Sequence, residues 1–165
     1  TEVLAKGAPY QILVRDFCEL GFDLCAVGRN VFDSFLLPGA TPYYTVAITD
    51  TGSLDDVAAQ ARAIAFAGNM STVGLQSYGS LGLVRFYDFG QSYLRMAQEQ
   101  GILPAGFEKA LNSAVTYKAA TDRFINITIN QSDYSGLSCS LPSMLTGADL
   151  DEYRRLQWWQ DVYMQ

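Results

Sequence analysis

Two hydrophobic periods alternate along this chain, and that alternation limits its fold more than any other feature. From Pro9 to Phe35 the apolar residues Ile12, Leu13, Phe17, Leu20, Leu24, Val27, Val31 and Phe35 recur at threes and fours. That is the period of a helix with one buried face. Leu36-Leu37-Pro38-Gly39-Ala40-Thr41-Pro42 then ends the helical region with two prolines and a glycine. The run from Tyr43 to Asp50 is aromatic and β-branched, as a strand should be. Ser53 reads as the N-cap of a helix with Asp55 and Asp56 in its first turn, running to Phe66 or Ala67 before Gly68. Gly74, Gly79 and Gly82 mark a loop, and Val84 to Tyr87 a short strand. A helix starts near Asp88 and ends at Gly101, and another runs from Pro104 to about Lys118. Residues 123–129 alternate as a strand, and so do residues 135–142, with Leu137, Cys139 and Leu141 on one face. Asp149 opens a last helix carrying Tyr153, Leu156, Trp159 and Tyr163. The class is therefore α/β, with helices flanking a small sheet. Three or four strands leave unpaired edges, a liability unless another segment covers them. Without repeats or linkers, residues 1–165 read as a single domain or as the C-terminal part of a larger one.

A chain of 165 residues buries roughly 70% of its unfolded surface, enough for one real core. The net charge of −6 and the scattered Lys and Arg argue against a nucleic-acid partner, which needs a basic footprint. No apolar run reaches the length of a membrane span. The opening TEVLAKGAPY has neither Met nor a charged leader region and reads as a processed or truncated start. Cys18 and Cys25 stand two helical turns apart, about 10.5 Å along an axis, too far for a disulfide. With Cys139 they read as buried free thiols. The chain contains no histidine. No Cys–His or Ser–His–Asp arrangement can therefore be completed within it, and His-based zinc sites are excluded.

Several segments, in order, resemble the clostripain-like (C11) cysteine peptidases, especially forms from gut Bacteroidetes. Thr1 to Tyr10 is similar to the stretch just after that family's catalytic cysteine strand, with Thr-Glu, a glycine and Pro-Tyr. Tyr43 to Leu54 resembles its strand ending in Asp before a small-residue helix start. Phe86 to Gly90 resembles its YDFG element, Val115 to Thr121 its VVYKxxT segment, and Ser135 to Pro142 its GLSxYxP segment. Arg155 to Trp159 is similar to its closing aromatic helix. The resemblance implies a caspase-like α/β/α sandwich and cleavage after Arg or Lys. It also implies a secreted or envelope-bound protein that matures into two associated chains. The family's His and its Asp-x-Cys strand lie upstream of the Thr-Glu segment, so the dyad is expected outside this chain. The partner expected is an N-terminal portion of the same precursor, acting with this chain on peptides bearing basic residues. No cofactor or metal is expected, and calcium dependence stays open.

The resemblance places Glu2, with Thr1 beside it, near the family's S1 pocket and makes it the candidate for substrate contact, since a desolvated cationic side chain needs a carboxylate. Asp23-Leu24-Cys25 superficially matches Asp-x-Cys, but its helical setting makes Cys25 a structural thiol rather than a nucleophile or a redox centre. Asp50 and Asp88 read as helix caps. Trp158 and Trp159 read as packing residues of an amphipathic helix rather than a ligand platform. Asn69, Asn126 and Asn130 open glycosylation-like triplets with no meaning in a bacterial chain. The rival reading is a non-catalytic interaction or scaffold domain of the same fold.

Overall fold

The computed structural model describes residues 10–36, 44–82, 84–124 and 127–164. The first helical region is two helices, α1 (Tyr10–Glu19) and α2 (Leu24–Phe35). Gly21 at φ 62° and Phe22 at φ 68° make the break. Glycine enters that left-handed region freely, whereas phenylalanine does so at a cost. Asp23 then restarts the helix, its carboxylate accepting the N–H groups of Cys25 and Ala26, each at 3.0 Å.

Helix α2 buries Val27 and Val31 against the first sheet. Gly28 allows the approach, since a Cβ there would stand 3.1 Å from Ile48 and Tyr117 side chains. That sheet pairs β1 (Thr45–Thr49) with β4 (Val115–Ala120), antiparallel. Its second strand corrects the helix expected from Pro104 to Lys118. Helix α5 (Ala105–Ala114) buries Phe107, Leu111 and Ala114 and stops, and the strand begins at the next residue. Val115, Thr116 and Tyr117 are β-branched or aromatic and lie across from β1, which outweighs the helical run before them.

Ser53 stands at the N-cap of α3 (Leu54–Arg62), as expected, but makes no side-chain cap hydrogen bond, and the capping carboxylate just ahead of it is that of Asp50. It accepts the Gly52 N–H at 2.9 Å and the Ser53 hydroxyl at 2.8 Å, holding a single 3-10 turn ahead of the helix. Helix α3 ends at Arg62, short of the expected Phe66. The glycine loop conceals β2 (Ser77–Leu81), which forms a hairpin with β3 (Val84–Asp88). Gly79, at φ 106°, sits in the bulge of that hairpin, a backbone state that conceals the strand from a propensity reading. Strand β7 (Ser138–Cys139) pairs with the other side of β3. Only these two residues of 135–142 make strand. The expected strand over 123–129 is a tight pair, β5 (Arg123–Phe124) with β6 (Ile127–Thr128). The described strands thus form three small antiparallel sheets rather than one.

Helix α4 (Phe89–Gln100) is capped by Asp88 and closed by Gly101 at φ 68°. The last expected helix is two, α6 (Gly147–Arg154) and α7 (Gln157–Val162), and Asp149 lies in the first turn of α6 rather than at its cap, where Thr146 stands. The main core lies among α3, α4, α5 and α7, around Tyr93, Met96, Phe107, Val57 and Val162. Phe89 and Tyr93 pack against each other and each against Phe107 and Trp158, with ring centres 4.6–6.0 Å apart. The architecture is mixed α/β, as the alternating pattern requires.

Gly136, at φ 91°, crosses the β1–β4 sheet so closely that a Cβ would stand 2.8 Å from Val115 and 3.3 Å from Ala47. Gly136→Ala should cost about 2–4 kcal/mol, from backbone strain plus overpacking. Gly21→Ala, with open space around it, should cost about 1–2 kcal/mol. Urea unfolding of the two variants measures the gap.

Candidate functional site

Thr1 and Glu2 lie outside the described residues, so their setting is not part of this geometry. Cys25 sits in the first turn of α2, its sulfur 3.5 Å from the Thr116 hydroxyl. No imidazole exists to activate it. Cys18 is exposed on α1. The Cys139 thiol faces inward between β3 and the core. Burial pushes it up to about 12, the Ser92 hydroxyl pulls it back, and Asp88 adds to the rise. Such a thiol stays protonated and is no nucleophile at neutral pH.

Asp88 holds the densest polar arrangement. It is fully buried at the junction of β3 and α4. One carboxylate oxygen accepts the Gln91 N–H at 3.0 Å, which is the helix cap. The other accepts the Tyr78 hydroxyl and the Ser135 N–H, each at 2.8 Å. Burial, and then the neighbouring carboxylate, raise the Tyr78 hydroxyl well above its ordinary value, so it remains a donor. The Ser135 hydroxyl accepts the Gly90 N–H at 3.1 Å and donates to the Leu137 carbonyl at 3.2 Å. The sequence identified Asp88 as a cap. It gave no local sign of Tyr78 and Ser135, which stand 10 and 47 positions away.

A cleft of about 160 Å³ opens beside this junction, between α4, α5, β4 and residues 132–135. Leu94, Phe107 and Leu111 form its floor, and Glu108, Lys118 and Asp133 stand around it. Its lining holds neither a thiol nor an activated hydroxyl. Trp158 donates to the Tyr93 hydroxyl at 2.9 Å, and that hydroxyl lies 3.0 Å from the Tyr163 hydroxyl. Trp159 stacks on Tyr163 with ring centres 5.0 Å apart. The tryptophan pair thus fastens α7 to the core, as its spacing predicts. Among the described residues, no cluster of three or more acidic or cysteine side chains is arranged to hold a metal ion. No described helix is long and apolar enough to cross a membrane.

No protein-family sequence model matches the chain, and no curated protein sequence matches it. Solved structures do. An inactive zymogen C11 protease from Parabacteroides distasonis superposes at TM-score 0.74 and 26% identity, covering 99% of this chain and 50% of the zymogen. The secreted C11 cysteine protease iotapain of Bacteroides thetaiotaomicron matches at TM-score 0.76 and 26% identity, over 98% of this chain and 46% of that one. A clostripain from the same organism, bound to the peptide inhibitor BTN-VLTK-AOMK, matches at TM-score 0.74 and 22% identity, over 99% of this chain and 74% of that one. The chain therefore resembles the clostripain-like cysteine proteases along nearly its whole length, and spans about half of the zymogen and of iotapain.

Two measurements check this geometry. Asp88→Ala strips a cap and leaves the Ser135 N–H and the Tyr78 hydroxyl without their acceptor, and should cost about 3 kcal/mol or more in urea unfolding. Asp88→Asn, which keeps one acceptor oxygen, should cost less. Iodoacetamide at pH 8 should modify Cys18 in the folded chain and Cys139 only after unfolding. Because the folded Cys139 thiol titrates near 12 and the unfolded one near 9, the unfolded state loses its proton first. Stability should then fall as pH rises above about 9, by up to about 1.4 kcal/mol per pH unit from this group.

Proposed function

We propose that this chain is part of a cysteine endopeptidase that cleaves after Arg or Lys. The observation that carries the reading is the likeness to C11 proteases over 98–99% of the chain, at 26% identity for two of them. That none of these 165 residues is a histidine supports a catalytic pair on another segment of the protein. There a histidine takes the proton of a cysteine thiol, and the thiolate attacks the scissile carbonyl. The histidinium returns that proton to the leaving amine, and water then hydrolyses the acyl-enzyme. The chain itself supplies strands, the helices that buttress them and, through Glu2 and Thr1, part of the wall that receives the basic side chain. A carboxylate there offsets the desolvation of a guanidinium or ammonium group. The inhibitor bound by the Bacteroides thetaiotaomicron clostripain carries lysine next to its AOMK group, which supports a basic preference here. Iotapain is a secreted protease, which supports a secreted or envelope location for this chain too.

The alternative is a non-catalytic interaction or scaffold domain on the same fold. What favours it is that none of the three cysteines has a base to activate it.

The deciding assay is hydrolysis of an Arg-containing fluorogenic peptide by this chain, alone and combined with the segment encoded upstream of it. We expect no turnover from the chain alone and turnover in the combination. A folded, associated combination without turnover would instead establish the scaffold reading. In the active combination, Glu2→Gln should lower kcat/KM for Arg substrates by about 10–100-fold, mainly through KM, with unchanged thermal stability. Unchanged kinetics would remove Glu2 from the pocket.

A further inference from the structure

The cleft of about 160 Å³ between α4, α5, β4 and residues 132–135 takes no part in the chemistry above. Helix α5 presents two rows to it. Phe107 and Leu111, four apart and buried, form the floor, and Glu108 and Asn112, also four apart and exposed, form the bank beside it. Leu94 of α4 continues the floor, and Lys118 enters from β4. The walls are tied in place. The Gly90 N–H donates to the Ser135 hydroxyl at 3.1 Å, and a Cβ at Gly90 would stand 2.7 Å from that serine's side chain and 3.2 Å from Leu111. Walls held in this way lose little freedom when a ligand enters.

The polar groups of the lining divide into spent and unspent. The α4 N-terminus offers no anion cradle, because the Gly90 N–H goes to Ser135 and the Gln91 N–H to Asp88. Asp133 accepts the Asn130 amide at 2.6 Å and the Ser132 hydroxyl at 3.3 Å. Among the described residues, by contrast, the Glu108 carboxylate, the Lys118 ammonium and the Asn112 amide have no hydrogen-bond or ion-pair partner. The side-chain oxygen of Gln91 accepts the Gln76 N–H at 2.6 Å, which leaves its amide nitrogen as a further donor. An unspent cation, an unspent anion and two amides thus stand around an apolar floor. A mostly apolar cleft with a few converging polar groups is the usual make-up of a small-molecule site.

We infer that this cleft binds a free α-amino acid with an apolar side chain of about the size of leucine. The side chain lies on Leu94, Phe107 and Leu111, the ammonium meets Glu108, and the carboxylate meets Lys118. Charge selects the class of ligand. Two carboxylates on the rim, Glu108 and Asp133, oppose a simple anion, and Lys118 opposes a simple amine, whereas a zwitterion satisfies both signs. Volume selects its size. Clefts that take drug-sized molecules run to about 300–1,000 Å³, so one of about 160 Å³ admits roughly ten non-hydrogen atoms or fewer. The inference does not depend on the peptidase reading, and the site is one of binding rather than catalysis.

The test is calorimetric titration of L-leucine into the full-length protein that contains this chain, with methyl NMR to locate the ligand. Leucine should saturate with a dissociation constant of about 1 mM or below and should shift the Leu94 and Leu111 methyl resonances. 3-Methylbutylamine and 4-methylpentanoate, each lacking one of the charged groups, should bind about tenfold more weakly or worse. Glu108→Gln and Lys118→Gln should each weaken leucine by about tenfold. Both side chains are exposed, so neither variant should change the thermal unfolding temperature. Lys109→Gln, next to Glu108 on α5 but outside the cleft, should leave the affinity unchanged. The amine or the acid binding as tightly as leucine would overturn the inference, as would unchanged affinity in both charge variants. Saturation with unmoved Leu94 and Leu111 resonances would put leucine elsewhere and overturn it. Tighter binding of L-leucyl-L-leucine than of leucine would make a peptide the occupant and overturn the free amino acid. No saturation by about 10 mM leucine would overturn it too. Should a charge variant unfold, the two analogues and the methyl shifts decide. Each readout is of binding and not of turnover, so failure here leaves the peptidase reading standing, and failure of that reading leaves this one.

Discussion

The Asp88 carboxylate ties together segments that otherwise have little local reason to meet. It stands where β3 becomes α4, and its three hydrogen bonds reach the helix N-terminus, Tyr78 on β2 and the main chain of Ser135. A buried carboxylate without a cation is costly unless its lone pairs are satisfied. Here the donors are two backbone N–H groups and a phenol held protonated by the same burial. The helix N-terminus adds a favourable dipole. The cost of the charge is thus offset by a geometry that exists only when hairpin, helix and the 135–139 segment are all in place.

That tie governs where the rest of the molecule lies. Fixing Ser135 places Gly136 over the β1–β4 sheet, so close that a Cβ there would stand 2.8 Å from the Val115 side chain. Continuing to Leu137, whose carbonyl accepts the Phe89 N–H at 3.0 Å, the segment delivers Ser138 and Cys139 to the free side of β3. The Cys139 sulfur then faces Ser92 and Tyr163, the residue that closes α7. The high titration of that thiol and the position of the aromatic cluster are consequences of one packing arrangement.

What the sequence made legible follows from how local each signal is. The caps at Asp50 and Asp88, the glycine stop at 101 and the strand at Thr45–Thr49 depend on a few adjacent residues, and each is found where the pattern puts it. The misplaced boundaries share another cause. Val115–Ala120 follows a helix with no stop signal, and only the partner strand, some 70 residues away, makes it extended. Strand β2 contains Gly79 in a bulge, so its pairing comes from β3 rather than from propensity. The break at Gly21 and Phe22 interrupts a continuous apolar period, and its sharpness depends on a phenylalanine held at positive φ. Of the candidate site, the sequence named the carboxylate and not its partners, because hydrogen bonds across 10 and 47 positions leave no periodic trace.

The interior and the edge of this chain call for different explanations. Among the described residues no buried side-chain nitrogen or oxygen lacks a partner. The polar groups of the interior, Asp88 included, are occupied with holding elements together. Among the described residues the edge strands β1, β2, β4 and β7 each keep one main-chain row without a strand partner. That arrangement puts the described buried polar groups in the service of the fold. It agrees with a sequence that has thiols and carboxylates but no imidazole to activate them.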